Sequence, residues 1–403
     1  MISRKFVGAL VSVAIISAST TAVAASPKAG ASCAGAGKVV VVGSNKLTCV
    51  KVGKKLVWKA TKSSTASVPA PLPTPTKVDE ATPEPSPSQT PSPTPEPSAT
   101  FSPLKPSASA AEAWSRSGWQ KPTGSEAVSA AATAAFNAYV GTIRNPGAKV
   151  TIWAEAGSDQ TLVGWVTKAS ALIATTFETP YAIDNFNDVI AVTRGYLVDT
   201  FTRLYDAGYA NAQAGAWDNG SPAWGGRVSN GWSMGNITKN NSMVNDRSGM
   251  AQTAGHEYFH AIQENFVNNS GTNCGPCGTP QWFWEGPAMF VGLESAANLG
   301  FINYATDGRA VMLNRVHRQP TGKLALADVS VNTPPSIDPY GIGEIATEFL
   351  VANVGMAKFV DVYRQVGKGA SFPIAFEKAT GVPLADFYLM FEDARAELGI
   401  PKE

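Results

Sequence analysis

The chain is expected to adopt an α+β fold, mainly helical in its C-terminal part and preceded by a small disulfide-stapled β unit. Three observations carry that expectation. β-Branched runs close to Cys33 and Cys49 mark a compact β piece near the N-terminus. Thirteen of the 28 prolines crowd between Pro69 and Pro106 and divide the chain. Beyond Ala110, apolar residues recur mostly at helical spacing, with only a few strand-like runs between the helices.

Residues 1–25 read as a secretory signal peptide. Arg4 and Lys5 give a positive start, residues 6–18 an apolar run, and Ala22-Val23-Ala24 a small-residue cleavage pattern. The same run could instead serve as an uncleaved anchor, because no other segment approaches the ~18 uninterrupted apolar residues of a membrane span. The mature chain is therefore expected to be secreted or associated with the cell surface, where disulfides are permitted.

Residues 26–60 form the small basic unit: Val39 to Val42 as one strand, Gly43-Ser44-Asn45 as a turn, and residues 47–52 as a second strand. A Cys33–Cys49 bridge would hold together a piece too short to keep a core by itself. Residues 61–109 are a Pro/Ser/Thr-rich linker. As polyproline II, the stretch from Pro69 to Pro106 reaches about 120 Å.

From residue 110 to 403 a single larger domain is expected. Its helices fall at 127–140, 163–177 and 196–209, and its strands at 149–154 and 189–193. The Gly- and Trp-rich residues 224–241 read as a strand or hairpin. Helices follow at 248–266, 281–297, 343–354, 357–366 and 384–398.

The net charge of +1 conceals an asymmetry. Residues 26–60 carry seven lysines and no acid, whereas residues from 110 onward carry 20 basic against 27 acidic side chains. Opposite charges on two segments suggest two jobs. The lysines suit an anionic cell-envelope polymer as partner. No nucleic-acid partner is expected.

The most informative stretch is His256-Glu257-Tyr258-Phe259-His260, which uses two of only three histidines. Residues four apart on a helix share a face, so both imidazoles can meet one zinc ion with Glu257 beside its bound water. The competing reading is an amphipathic helix with two partnered core histidines. A third ligand comes from Thr279-Pro280-Gln281-Trp282-Phe283-Trp284-Glu285, in which Thr279 would cap a second helix and Pro280 open it. Glu285 then lies one turn inside and can complete a His₂Glu site. Asp338 and His317 are the other candidates, the latter disfavoured by its neighbours Arg315 and Arg318.

In these motifs the chain resembles the gluzincins, the thermolysin and aminopeptidase-N superfamily, and most closely their peptidase MA-like branch. The signature His-Glu-x-x-His followed by Pro-x-Trp-x-x-Glu-Gly-x-Ala is met at Pro280, Trp282, Glu285, Gly286 and Ala288. Tyr340-Gly341-Ile342-Gly343, Phe349-Leu350 and Asn353-Val354-Gly355 extend the likeness, which covers about residues 220–398. Gln263 and Phe266 stand where a metzincin has Gly and His, so that class is excluded. The resemblance implies a zincin-like domain and a zinc-dependent peptidase. Glu257 would be its general base, His256, His260 and Glu285 its zinc ligands, and Tyr340 its oxyanion donor.

Pro287 departs from the family pattern and is expected to kink the second helix or delay its start. Met234-Gly235-Asn236 resembles the edge strand by which aminopeptidase N holds its substrate. Gly235 replaces the glutamate that grips a free amino group there, so endopeptidase action is favoured. Cys274-Gly275-Pro276-Cys277 copies a thioredoxin redox tetrapeptide but lacks the strand-to-helix setting, and a structural disulfide is expected. The rival function is a catalytically inactive zincin-fold binding protein at the cell surface. Glu257 argues against it, because a scaffold has no use for the base.

Overall fold

A computed structural model describes residues 31–33, 39–42, 45–53, 55–61, 101–179, 186–218, 223–228, 231–237, 247–267, 278–318, 324–330 and 338–400. The signal-peptide residues, most of the proline-rich linker and the Cys274–Cys277 pair lie outside them. The chain forms two compact units, Met1–Thr94 and Pro95–Glu403.

The first unit is a three-stranded antiparallel sheet in the order β1 (Val39–Val42), β2 (Asn45–Val52), β3 (Lys55–Thr61). The third strand was not anticipated. It places Trp58 directly across from Cys49, and these two buried side chains are the centre of the unit. The expected Cys33–Cys49 disulfide is present. It ties the residues before β1 to the sheet, where Cys33 N–H donates to Leu56 O (3.1 Å) and Trp58 N–H to Ala31 O (2.9 Å).

The second unit is α+β. Its helices α1 (Ala110–Ser117) and α2 (Ser125–Val140) precede a four-stranded sheet made from β4 (Val150–Ala154), β5 (Phe186–Ala191), β6 (Ala223–Val228) and β7 (Gly231–Ile237). The strand order is β4-β5-β7-β6. Pairing is parallel from β4 to β7, and β6 runs antiparallel to β7. Helix α3 (Gln160–Thr176) connects β4 to β5, while α4 (Arg194–Leu204) and α5 (Ala207–Asp218) follow β5. Alternation along β5 explains why both faces are covered. Phe186 and Ile190 join the main core with α3, whereas Val189 and Ala191 pack with Leu197 and Phe201 of α4. The helix expected at 196–209 is thus two, divided at Tyr205.

Helices dominate the rest: α6 (Arg247–Val267), α7 (Gln281–Asn298), a π-helical turn (Tyr304–Arg309), α8 (Ala310–Arg318), α9 (Pro339–Gly367), α10 (Phe372–Thr380) and α11 (Leu384–Asp393). Nearly every residue of α7 from Trp282 to Ser295 is buried, so it is the central rod against which α6 and α9 pack. The two helices expected at 343–354 and 357–366 are halves of α9, broken at Gly355, whose φ of 76° is left-handed. Among the described residues, no helix is long and apolar enough to cross a membrane.

Phe101–Ser109, the end of the proline-rich stretch, is fastened to this unit. Ser107 donates to the buried Asp386 through both its N–H (2.7 Å) and its hydroxyl (2.8 Å), and Leu104 N–H donates to Glu377 (2.7 Å). The packed portion therefore begins before Ala110.

Candidate metal centre

Three helices meet at the site, and glycines let them approach. A Cβ on Gly255 would lie 2.9 Å from Gly292 Cα, and one on Gly286 would collide with the backbone of Gly343. Gly255 immediately precedes His256, Gly286 immediately follows Glu285, and Gly343 lies one turn after Tyr340. These close backbone contacts thus fall beside the candidate side chains, bringing α6, α7 and α9 near enough for short polar groups to converge.

His256 and His260 project from one face of α6, with their Nε2 atoms 3.1 Å apart. Glu285 Oε2 on α7 stands 3.4 Å from His256 Nε2 and 3.3 Å from His260 Nε2. Among the described residues these three form the group able to hold a metal ion. Ligand atoms on a tetrahedral ion at 2.0–2.1 Å stand about 3.3 Å from one another, so the spacing fits. Glu285 Oε2 is also buried with no well-formed hydrogen bond among the described residues, which suits an atom able to bind a cation.

Charge sharpens the picture. Burial by itself pushes the His260 imidazole down, yet the Glu285 carboxylate more than reverses this and holds it up to about 9. Burial likewise pushes Glu285 up, and the two imidazoles override it, holding the carboxyl well below its usual range. Proton and metal therefore compete for the same lone pairs. Glu257, next on α6 and half-buried, acts electrostatically on both His260 and Tyr340.

A residue beyond the motif sets the ring of His260. Gln263 is fully buried, and its Nε2 donates to Trp284 O (2.8 Å) and to the Tyr363 hydroxyl (2.9 Å). A carbonyl can only accept, so the amide orientation is fixed and Oε1 faces His260 Nδ1 at 2.7 Å. In the neutral imidazole Nδ1 then carries the hydrogen and Nε2 keeps its lone pair towards the metal position. Trp284 stacks on the other side of the ring, 5.0 Å between centroids. His256 lacks such support: its Nδ1 is buried with no partner among the described residues.

The same network accounts for Pro287. Helix α7 starts at Gln281 and continues through the proline, so the start is not delayed. A proline has no N–H for the carbonyl four residues back, here Phe283 O. That oxygen accepts from the Tyr363 hydroxyl at 2.9 Å. The expected cap is corrected, however: Pro280 occupies the capping position, no side chain caps the helix, and Thr279 precedes it.

Tyr340 opens α9, its ring 5.7 Å from that of His256 and beneath the Arg315 guanidinium. Burial and the carboxylates of Glu285 and Glu257 push its phenol well above the usual value, so it remains an O–H donor. Neither alternative ligand joins the site. Asp338 caps α9 by accepting from Tyr340 N–H (3.0 Å) and pairs with Arg315. His317 binds Gly399 O through Nε2 (2.9 Å) at an exposed position.

Met234, Gly235 and Asn236 fall on β7, opposite Asp188, Val189 and Ile190 of β5 on one side and Gly225, Trp224 and Ala223 of β6 on the other. Both edges of that strand are thus paired, and it cannot receive an extended peptide as an edge strand would. Among the described strands β4 and β6 are the outer two, and β6, next to β7, lies against α6.

Comparison with known proteins finds no matching family model, no matching curated protein and no matching solved structure.

Proposed function

We propose that the chain is a zinc-dependent peptidase of gluzincin type that cuts within polypeptides. One observation carries the reading: two imidazoles and one carboxylate converge at 3.1–3.4 Å, with Glu257 next to them. A set of two nitrogens and one carboxylate oxygen suits zinc better than calcium or magnesium, which prefer oxygen ligands. Zinc, when bound, supplies the Lewis acidity that activates a water near neutral pH and polarises a carbonyl. Glu257 accepts the proton of the attacking water and returns it to the leaving amine. The Tyr340 hydroxyl donates to the oxyanion. The outer edge of β6, which pairs with no other strand among the described residues, aligns an extended peptide by main-chain hydrogen bonds. Export by the N-terminal signal places this activity outside the cytoplasm. The basic first unit, whose Lys51, Lys55 and Lys59 are exposed, holds the enzyme to an anionic envelope polymer.

The test is zinc content together with chelator-sensitive cleavage of unfolded protein. Glu257→Gln preserves shape but cannot take the proton, so zinc should remain while turnover falls by about 10²–10⁴. A wild type that binds zinc yet cuts nothing would instead support the inactive binding protein. Ladders shortened one residue at a time from free N-termini would show an exopeptidase.

A further inference from the structure

Away from the metal centre, α2, the C-terminal part of α7, the π-turn and the start of α8 enclose a groove of about 1130 Å³. Its deep end contains Glu294. This residue is nine positions beyond Glu285 on α7, about 13 Å along the axis and half a turn round, so the two sites are separate. Glu294 is 0 % exposed. Its Oε1 accepts from the Thr133 hydroxyl (2.5 Å), whereas Oε2 has no partner among the described residues. A buried carboxyl oxygen beside a groove and without a partner among the described residues is a costly arrangement.

The surrounding charge says what would complete it. Arg309 is the one basic side chain among the groove's lining, and it is already committed. Its Nε donates to both oxygens of Glu348 (2.7 and 3.0 Å) and its second nitrogen to Leu398 O (3.1 Å). Among the described residues Glu344 takes only the Tyr304 hydroxyl, at 2.5 Å, and the exposed Glu126 adds another carboxylate to the lining. Once Glu294 ionises, therefore, no free cation among the described residues faces it and hydrogen-bond acceptor is in excess. A resident metal ion does not fit, because among the described residues these carboxylates do not converge as His256, His260 and Glu285 do. Ala130, Ala134, Ile302 and Leu313 line the walls, which suits an aliphatic stem rather than a second polar end.

We propose that the groove binds a primary ammonium on an unbranched aliphatic stem, with the ammonium seated on Glu294. The N–H groups donate to Oε2 as charge-assisted hydrogen bonds, and the stem lies along the apolar wall. Burial holds the Glu294 carboxyl up to about 8, so at neutral pH the arriving ammonium displaces a proton to solvent. The groups around it are Thr133 on α2, Glu344 and Glu348 on α9, and Tyr304 and Arg309 on the π-turn, with Ser129 bonded to Glu348; Glu344 and Glu348 are themselves held up, chiefly by burial.

Calorimetric titration of the full chain with n-pentylamine hydrochloride at pH 8.5 tests this. Millimolar binding is expected for pentylamine but not for n-pentanol, which lacks the charge, or tetramethylammonium, which lacks N–H donors. Glu294→Gln should weaken it at least about tenfold. Ala134→Trp, at an exposed wall position, should abolish it by filling the groove while leaving the polar floor intact. Nα-acetyl-lysine amide distinguishes the source: binding like pentylamine points to a protein-borne lysine, and binding by pentylamine alone points to a free amine. Absence of wild-type binding, equal binding of tetramethylammonium, or undiminished binding by a folded Glu294→Gln chain would overturn the proposal.

Discussion

Gln263 shows how the candidate centre depends on a side chain that touches no substrate. Losing the bond from Gln263 Oε1 to His260 Nδ1 leaves the imidazole free to rotate and to change tautomer, so each metal encounter must select the correct state. Gln263→Leu should weaken zinc binding by about 10–100-fold, measured by competition with a chromophoric chelator. Asp338→Ala removes a helix cap and an Arg315 partner instead, and should lower stability by about 1 kcal/mol with metal affinity unchanged. If Asp338→Ala empties the site, Glu285 is not the third ligand. The two candidate histidines were legible because helix geometry alone brings positions 256 and 260 together, whereas Glu285 on another helix was read from its motif. Gln263 was legible in principle, one turn beyond His260, yet it served only to exclude another class. Tyr363 was not: it lies 100 residues from Gln263, and only the packed fold introduces them.

Between elements, glycine and proline carry more than their local propensities suggest. Gly286 reads as part of a motif, but its physical role is to let α7 and α9 touch backbone to backbone. Gly286→Ala should therefore separate the helices, cost several kcal/mol and show as a large fall in denaturation midpoint. Tyr363→Phe is subtler. It strips the hydroxyl that serves both Phe283 O and Gln263, leaving a buried carbonyl unpaired beside Pro287, and should cost about 1–3 kcal/mol. A midpoint unchanged by Tyr363→Phe would mean that water replaces the hydroxyl. Periodicity located the main helices and the strands near 150 and 190, because their apolar faces are continuous. It missed α1, α8, α10 and the third N-terminal strand, which are short. It also could not show that β7 is an inner strand, since sheet order depends on pairing between distant segments.

At the scale of the whole molecule, the buried acids should make stability depend on pH in an uncommon direction. Most carboxyls in folded proteins are held low and favour the native state as pH rises. Glu294 is the opposite case, held up to about 8 from 4.5 by burial, with the charge of Glu348 adding and the Thr133 hydrogen bond opposing. Glu344 and Glu348 are raised as well, chiefly by burial. Between those two values the folded chain keeps a proton that the unfolded chain releases, so stability falls as pH rises through that window and levels off above it. His260, also raised, contributes a slope of the same sign in the metal-free chain, so wild-type data alone do not assign the effect. The Glu294→Gln difference does. The variant cannot ionise, and relative to wild type it should gain on the order of a few kcal/mol between pH 5 and 9. Urea denaturation of both chains at several pH values with chelator present measures it. Parallel curves would mean that Glu294 ionises freely in the fold and that the acid cluster is hydrated.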